Sequence, residues 1–219
     1  MTTIAILPIK TLDRAKKRLA TELDPTPRRA LVEAMFSDAL IALRRAATVD
    51  SVIVVTPDHV AQRIGAGYGA DIVEDADAGH NDAAQRGIEH AIKLGADRAL
   101  LVPGDCPLLD PDELDSLAGR RLRADSVLIV PDRHGTGTNA LLITPPDALA
   151  PSFGEGSHER HLEQARAAGL TAESVSVPSL ALDVDTPEDL AMLTEALERS
   201  RGGAALTRGM LRQLVRSRG

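Results

Sequence analysis

The run Ala99-Leu100-Leu101-Val102-Pro103-Gly104-Asp105-Cys106-Pro107-Leu108 decides the fold. Its apolar residues are consecutive rather than alternating. That suits a strand covered on both faces, the condition of a parallel sheet with helices on either side. Pro103 and Gly104 then turn the chain and leave one carboxylate, Asp105, at the strand's carboxyl end. Asp110 and Pro111 follow as cap and first-turn proline of a helix over 110–119. Asp105 is therefore not needed as a cap, and it stands where open α/β sheets bind their ligands.

The same grammar repeats outward. Strands are expected at 4–8, 51–56, 71–73, 99–103, 126–130, 140–144 and 173–177. The first long helix starts at Asp24, with Pro25 and Pro27 in its first turn. Its apolar face is Leu31, Val32, Met35, Phe36, Ala39, Leu40 and Leu43. Further helices are expected at 80–94, 157–168 and 186–199, the last opened by Thr186-Pro187-Glu188-Asp189. This alternation predicts one α/β domain over 1–199. A flexible basic tail is expected over 200–219, in which Leu206, Met210, Leu211 and Leu214 also have the spacing of a short amphipathic helix.

Composition narrows the function. A chain of 219 residues, 43% hydrophobic and 26% charged, is globular and long enough for one substantial core. Aromatic residues make up 1%, which argues against a base-stacking surface for single-stranded nucleic acid. The net charge is -7, and the last twenty residues carry five arginines (201, 208, 212, 216, 218) and no acid. Removing those five from 25 basic residues leaves 20 against 32 acidic ones, a poor general nucleic-acid binder. No apolar run approaches the ~20 residues of a membrane span, and Met1 to Pro8 lacks a basic leader, so a cytoplasmic protein is expected. The single Cys106 excludes an intrachain disulfide and reads as a packing residue.

Four segments carry candidate chemistry. Between Lys10 and Arg18, the cations Lys10, Arg14, Lys16, Lys17 and Arg18 follow the first strand. Neither a dinucleotide fingerprint nor a P-loop is present there, but such charges suit a triphosphate and a leaving pyrophosphate. Asp105 is a hard oxygen ligand suited to Mg²⁺ bridging phosphates. The run Pro131-Asp132-Arg133-His134-Gly135-Thr136-Gly137-Thr138-Asn139 offers N–H and hydroxyl donors between two strands. Phe153-Gly154-Glu155-Gly156-Ser157 leads into a helix N-terminus with Ser157 as its cap. Finally, Asp183 and Asp185 put two carboxylates on one side of an extended segment, able to meet Asp105.

Taken together, Pro8-x-Lys10, Ala15-Lys16-x-Arg18-Leu19, Gly104-Asp105-x-Pro107-Leu108, the 131–140 run and Asp183-Val184-Asp185-Thr186-Pro187-Glu188-Asp189-Leu190 resemble the phospholactate/phosphoenolpyruvate guanylyltransferases of coenzyme F-420 assembly. The resemblance implies a nucleotide-diphospho-sugar transferase fold, a twisted mostly parallel sheet between helices. It implies Mg²⁺ on Asp105 with Asp183 or Asp185, and an acceptor of phosphoenolpyruvate type on Thr138, Gly154 and Ser157. Lys10, Lys16 and Arg18 would face the GTP phosphates, Lys10, Lys16, Arg18 and Asp105 carrying the catalysis, and Asn81 would lie on the nucleotide side. The implied partners are GTP and a small phosphorylated carboxylic acid, with the downstream transferase of the pathway as the protein partner. The alternatives are 2-phospholactate or 3-phosphoglycerate as acceptor, a sugar-phosphate or molybdopterin nucleotidyltransferase, or a non-catalytic nucleotide sensor.

Overall fold

The computed structural model describes residues 1–12, 15–120, 124–200 and 202–217. Asp13 and Arg14 of the basic stretch, with Arg201 and Arg218 of the C-terminal segment, lie outside the described residues. Among the described residues, seven strands form one sheet: β1 (Thr3–Pro8), β2 (Ser51–Thr56), β3 (Asp71–Glu74), β4 (Arg98–Leu101), β5 (Ser126–Pro131), β6 (Thr138–Thr144) and β7 (Thr171–Ser174). Seven α-helices among the described residues accompany them: α1 (Pro25–Arg45), α2 (His59–Gly67), α3 (His80–Lys93), α4 (Pro111–Ala118), α5 (Ser157–Ala167), α6 (Pro187–Arg199) and α7 (Ala205–Ser217).

The strand order is β3-β2-β1-β4-β6-β5-β7, parallel except for β6. The chain winds from β1 outward to β3 and then returns to β4 on the other side of β1. The loops after β1 and β4 therefore diverge at a topological switch point, which opens a crevice at their carboxyl ends. Because β6 is antiparallel to β4, with Leu101 opposite Leu141, its first residues Thr138 and Asn139 reach that same crevice.

Alternate residues of each strand enter opposite layers, as the pleat requires. Ala5, Leu7, Val54, Leu100, Leu128 and Leu142 pack with the apolar face of α1, including Leu31, Met35, Phe36 and Leu40. Ile4, Ile6, Ile53, Val55, Ala99, Leu101 and Ile143 pack with Ala84, Ile88 and Ala91 of α3. Aliphatic side chains of this kind each gain about 1.5–3 kcal/mol on full burial, so two such layers hold the sheet rigidly under the crevice.

Several sequence expectations shift. Asp24 stands at the N-cap of α1 but makes no side-chain cap hydrogen bond. Ser157 is the first residue of α5, and Gly156, in the left-handed region at φ 67°, takes the cap position. Helix α2 was not expected from sequence; Asp58 caps it by accepting from Val60 and Ala61 N–H at 2.8 and 3.2 Å. Strand β7 ends at Ser174, and Val177 beyond it turns into the core ahead of a 3-10 turn at Pro178–Leu180.

The C-terminal segment is not a flexible tail throughout: it contains α7, the short amphipathic helix that the spacing of Leu206, Met210, Leu211 and Leu214 offered beside the tail reading. Helix α7 packs along α1, with Met210, Leu211 and Leu214 against the core. Its first turn is held by the buried Asp38 carboxylate, which accepts from Leu206 and Thr207 N–H at 3.2 and 2.8 Å. An anion at a helix N-terminus satisfies donors that have no partner inside the helix. That anchor lies on α1, far away in sequence.

Candidate active site

A cavity of about 270 Å³ opens at the switch point, lined by Pro8, His80, Leu101, Val102, Pro103, Asp105, Thr138, Asn139, Phe153, Gly154, Asp183 and Asp185. A larger groove of about 880 Å³ runs between α6 and α7, but none of the sequence-predicted site residues lines it. The carboxylates converge in the smaller one.

Asp105 is carried by the turn after β4. Gly104 permits that turn because a Cβ there would stand 2.3 Å from Ile9 Cδ1. The Asp105 carbonyl accepts from Val184 N–H at 3.3 Å, stitching the β4 loop to the segment that carries Asp183 and Asp185. Asn139 Nδ2 donates to the Leu180 carbonyl at 2.6 Å and to Asp183 Oδ1 at 3.3 Å, joining β6 to the same segment. Three distant stretches are thereby tied together. Burial, and then the neighbouring Asp105 charge, push the Asp183 carboxyl above its ordinary range.

Lys16 sits between the acids. Its backbone is left-handed at φ 53°, and its ammonium donates to Asp105 and, at 2.6 Å, to Asp185 Oδ1. Burial alone would lower the Lys16 pKa, but the two carboxylates outweigh it and raise it, so the ammonium stays charged. The structure thus does not present Asp105, Asp183 and Asp185 as a ready three-carboxylate cage. Among the described residues, no group of three or more His, Cys, Asp or Glu side chains has that geometry. A lysine ammonium stands in for the cation, and two carboxylates hold it.

This donor set still fits Mg²⁺. That ion commonly takes one or two carboxylates, keeps several waters and completes its shell with substrate phosphates. Asp105 and Asp185 already converge on one positive charge, so these two would hold the ion, with Asp183 beside them.

Lys10 is exposed at the mouth of β1, and its charge, after burial, depresses the pKa of His80 in the cavity wall. Arg18 is exposed on the 3-10 turn Lys17–Thr21 and does not line the cavity. Cys106 is buried beneath the site, its thiol pushed up by burial and by Asp105, which suits a packing role.

The donor-rich loop 131–139 spends its amides internally. Asp132 Oδ1 accepts from His134 and Thr136 N–H at 3.1 Å each, and Arg133 pairs with Asp189 of the α6 capping box. Of that run, Thr138 and Asn139 reach the cavity. Opposite them, Gly154 lines the wall at φ +125°, a conformation glycine adopts without strain. Ser157 Oγ is buried near the start of α5 and has no hydrogen-bond partner among the described residues.

Asn81, which the resemblance implies on the nucleotide side, is bound to the loop that follows Ser152. Its amide pairs with the Phe153 backbone, accepting from Phe153 N–H at 2.7 Å and donating to the Phe153 carbonyl at 3.2 Å. Arg160 donates to the carbonyls of Ser152 and Glu155. These side chains, not the loop's own backbone, set the course of 152–155. Sequence reasoning also missed His80, whose ring meets Phe153 edge-on at 5.2 Å. The signal was its place at the start of α3, facing the carboxyl ends of the strands.

A crevice at the switch point of this sheet, with cations and acids meeting over a turn-held carboxylate, defines a nucleotidyltransferase of the nucleotide-diphospho-sugar type. The crystal structure of a nucleotide-diphospho-sugar transferase candidate from Desulfovibrio desulfuricans G20 shares the fold, at a TM-score of 0.78 and 18% identity over 99% of this chain and 98% of that one. The chain belongs to the family described as guanylyl transferase CofC like, whose model matches residues 3–214. It is 55% identical to the phosphoenolpyruvate guanylyltransferase of Conexibacter woesei over 99% of this chain and 98% of the relative. It is 40% identical to a 3-phospho-D-glycerate guanylyltransferase of Phenylobacterium zucineum, over 90% of this chain and 89% of the relative. No described helix is long and apolar enough to cross a membrane.

Proposed function

We propose that the chain transfers GMP from GTP to phosphoenolpyruvate, releasing pyrophosphate, in the cytoplasm and in the service of coenzyme F-420 assembly. The observation that carries this reading is that Asp105 and Asp185, both bound to the Lys16 ammonium, line one cavity with Thr138 and Gly154. Charge handling for a triphosphate and donors for an anionic acid lie side by side there. The acceptor named for the Conexibacter woesei relative agrees with it.

In the proposed reaction an acceptor phosphate oxygen attacks the α-phosphorus of GTP in line. A new P–O bond forms as the bond to the pyrophosphate oxygen breaks. No protein base is required, because a phosphate monoester loses its second proton near pH 6. Mg²⁺ on Asp105 and Asp185 would neutralise phosphate charge. Lys16 and Lys10 would carry positive charge on the nucleotide side, and Lys16, released from its carboxylates, would offset charge on the leaving pyrophosphate. Thr138, Gly154 and Ser157 would orient the acceptor.

The test is pyrophosphate release with GTP and Mg²⁺, comparing phosphoenolpyruvate, 2-phospholactate and 3-phosphoglycerate, with ATP and CTP as base controls. Phosphoenolpyruvate with GTP is expected to dominate. Asp105→Ala should lose at least about 100-fold in kcat, the scale of removing one preorganised electrostatic group, while remaining folded. A preference for 3-phosphoglycerate would support the reaction class and move the acceptor to that of the Phenylobacterium zucineum relative.

A further inference from the structure

Helix α5 sends one buried ring into the wall between β6 and the 152–157 loop. His161 has no exposed surface, and both of its ring nitrogens are engaged. Ser152 N–H donates to Nε2 at 3.0 Å. A backbone amide can only donate, so Nε2 must carry a lone pair. Nδ1 stands 3.0 Å from Thr138 Oγ1. Neutral imidazole has one N–H, which is therefore on Nδ1 and is given to the Thr138 hydroxyl. Burial, then the Arg160 and His158 charges, hold the His161 pKa down to about 4, so this tautomer persists at neutral pH.

The consequence falls on Thr138. Free threonine hydroxyls both donate and accept, but this one already accepts from His161. Its own hydrogen is left to point elsewhere, and Thr138 lines the cavity opposite Gly154. A hydroxyl whose hydrogen is directed away from the ring suits an anion.

We propose that His161 is a positioning residue for the acceptor: its Nδ1–H orients the Thr138 hydroxyl as a donor toward an anionic group, while its Nε2 holds the Ser152–Gly154 loop in place. The inference rests on the guanylyl-transfer reading and adds to it a buried residue that touches no substrate.

Two amide variants separate the ring's two tasks. His161→Gln places an amide near the Nε2 position and leaves nothing at Nδ1. His161→Asn places an N–H near the Nδ1 position. With GTP saturating, His161→Gln is expected to raise KM for phosphoenolpyruvate about 10- to 100-fold, the scale of one lost hydrogen bond to a charged group. Its KM for GTP should stay within about threefold of wild type, and the acceptor KM of His161→Asn, which keeps an N–H for Thr138 but loses the Ser152 contact, should rise less than that of His161→Gln. In a Thr138→Val background the Gln substitution should add less than about threefold, because the hydroxyl it orients is gone.

The inference is overturned if His161→Gln keeps the wild-type acceptor KM, if both KM values rise together, if Asn and Gln are equally impaired, or if the two sites add fully. A ¹⁵N spectrum of the wild-type ring showing the proton on Nε2 would overturn it independently of activity. A wild-type protein inactive with every phosphorylated acid would instead overturn the guanylyl-transfer reading, and the acceptor role with it.

Discussion

Replacing Lys16 with methionine removes the ammonium that bonds both Asp105 and Asp185. The Lys16 side chain is 6% exposed, and the carboxylates are 27% and 50% exposed. Breaking a wholly buried pair costs about 3–5 kcal/mol. Water on the carboxylate side screens the charges left behind, which brings the expected loss to about 2 kcal/mol. For a chain of 219 residues that corresponds to a fall in Tm of about 4–8 °C in the presence of a chelator. The same change vacates the position an added divalent ion would take. Mg²⁺ at 100 times its Kd contributes about 2.7 kcal/mol, enough to restore the variant. In the wild type Lys16 competes for the same oxygens, so the gain there should be smaller. Thermal unfolding of both proteins with chelator and across a Mg²⁺ titration reads this directly. A Lys16→Met protein that melts within about 1 °C of wild type, or gains no more from Mg²⁺, would refute the idea that lysine and metal share one seat.

Other outcomes follow from single contacts. Gly87→Ala places a Cβ 2.3 Å from Ile6 Cγ2 and 3.1 Å from Val55 Cγ2, both on stiff β-branched side chains. Overpacking of about 1–3 kcal/mol should exceed the ~1 kcal/mol helix gain, so the urea midpoint falls; a rise would show that α3 can shift freely. Folded His161 titrates at about 4 against an ordinary 6.5, so between those values the unfolded chain holds the extra proton and stability rises with pH. That contribution, about 3 kcal/mol, is complete above pH 6.5 and fades as pH falls toward 4; urea unfolding of wild type and His161→Gln should differ in slope across that window, and parallel slopes would exclude it. Asp38→Ala removes the acceptor for Leu206 and Thr207 N–H, costing about 1–2 kcal/mol. Cleavage between α6 and α7 in limited proteolysis should quicken, and an unchanged rate would mean that apolar packing alone seats α7.

The parts of this architecture that were legible in sequence share one property: their signal is local. Consecutive apolar runs marked the strands, and Asp110 and Thr186 announced their helices through caps that the structure contains. Asp105 stood out because a neighbouring residue, Asp110, already explained the helix start. What stayed hidden depends on contacts across the fold. Asn81 pairs its amide with the backbone of Phe153, 72 positions away, a contact no local pattern announces. The 131–137 loop looked donor-rich until Asp132 was seen to take two of its amides. Helix α7 had a legible apolar spacing, but Gly202, Gly203 and scattered arginines around it favoured a tail, and its anchor is an aspartate 168 residues upstream. Helix α2 was within reach: Asp58 followed by Val60, Ala61 and Ile64 is a capped amphipathic start, obscured by Gly65 and Gly67.

The reversed direction of β6 has a consequence for how the acceptor wall can change. Thr138 is the first residue of that strand, and its position is indexed by the hairpin that joins it to β5, where Pro131 pairs with Thr138 across a register shift. Adding or deleting one residue there would slide the strand by about 3.4 Å and turn the threonine to the opposite face. The hairpin can therefore trade residues without moving the hydroxyl, but a change in its length would remove that hydroxyl from the wall.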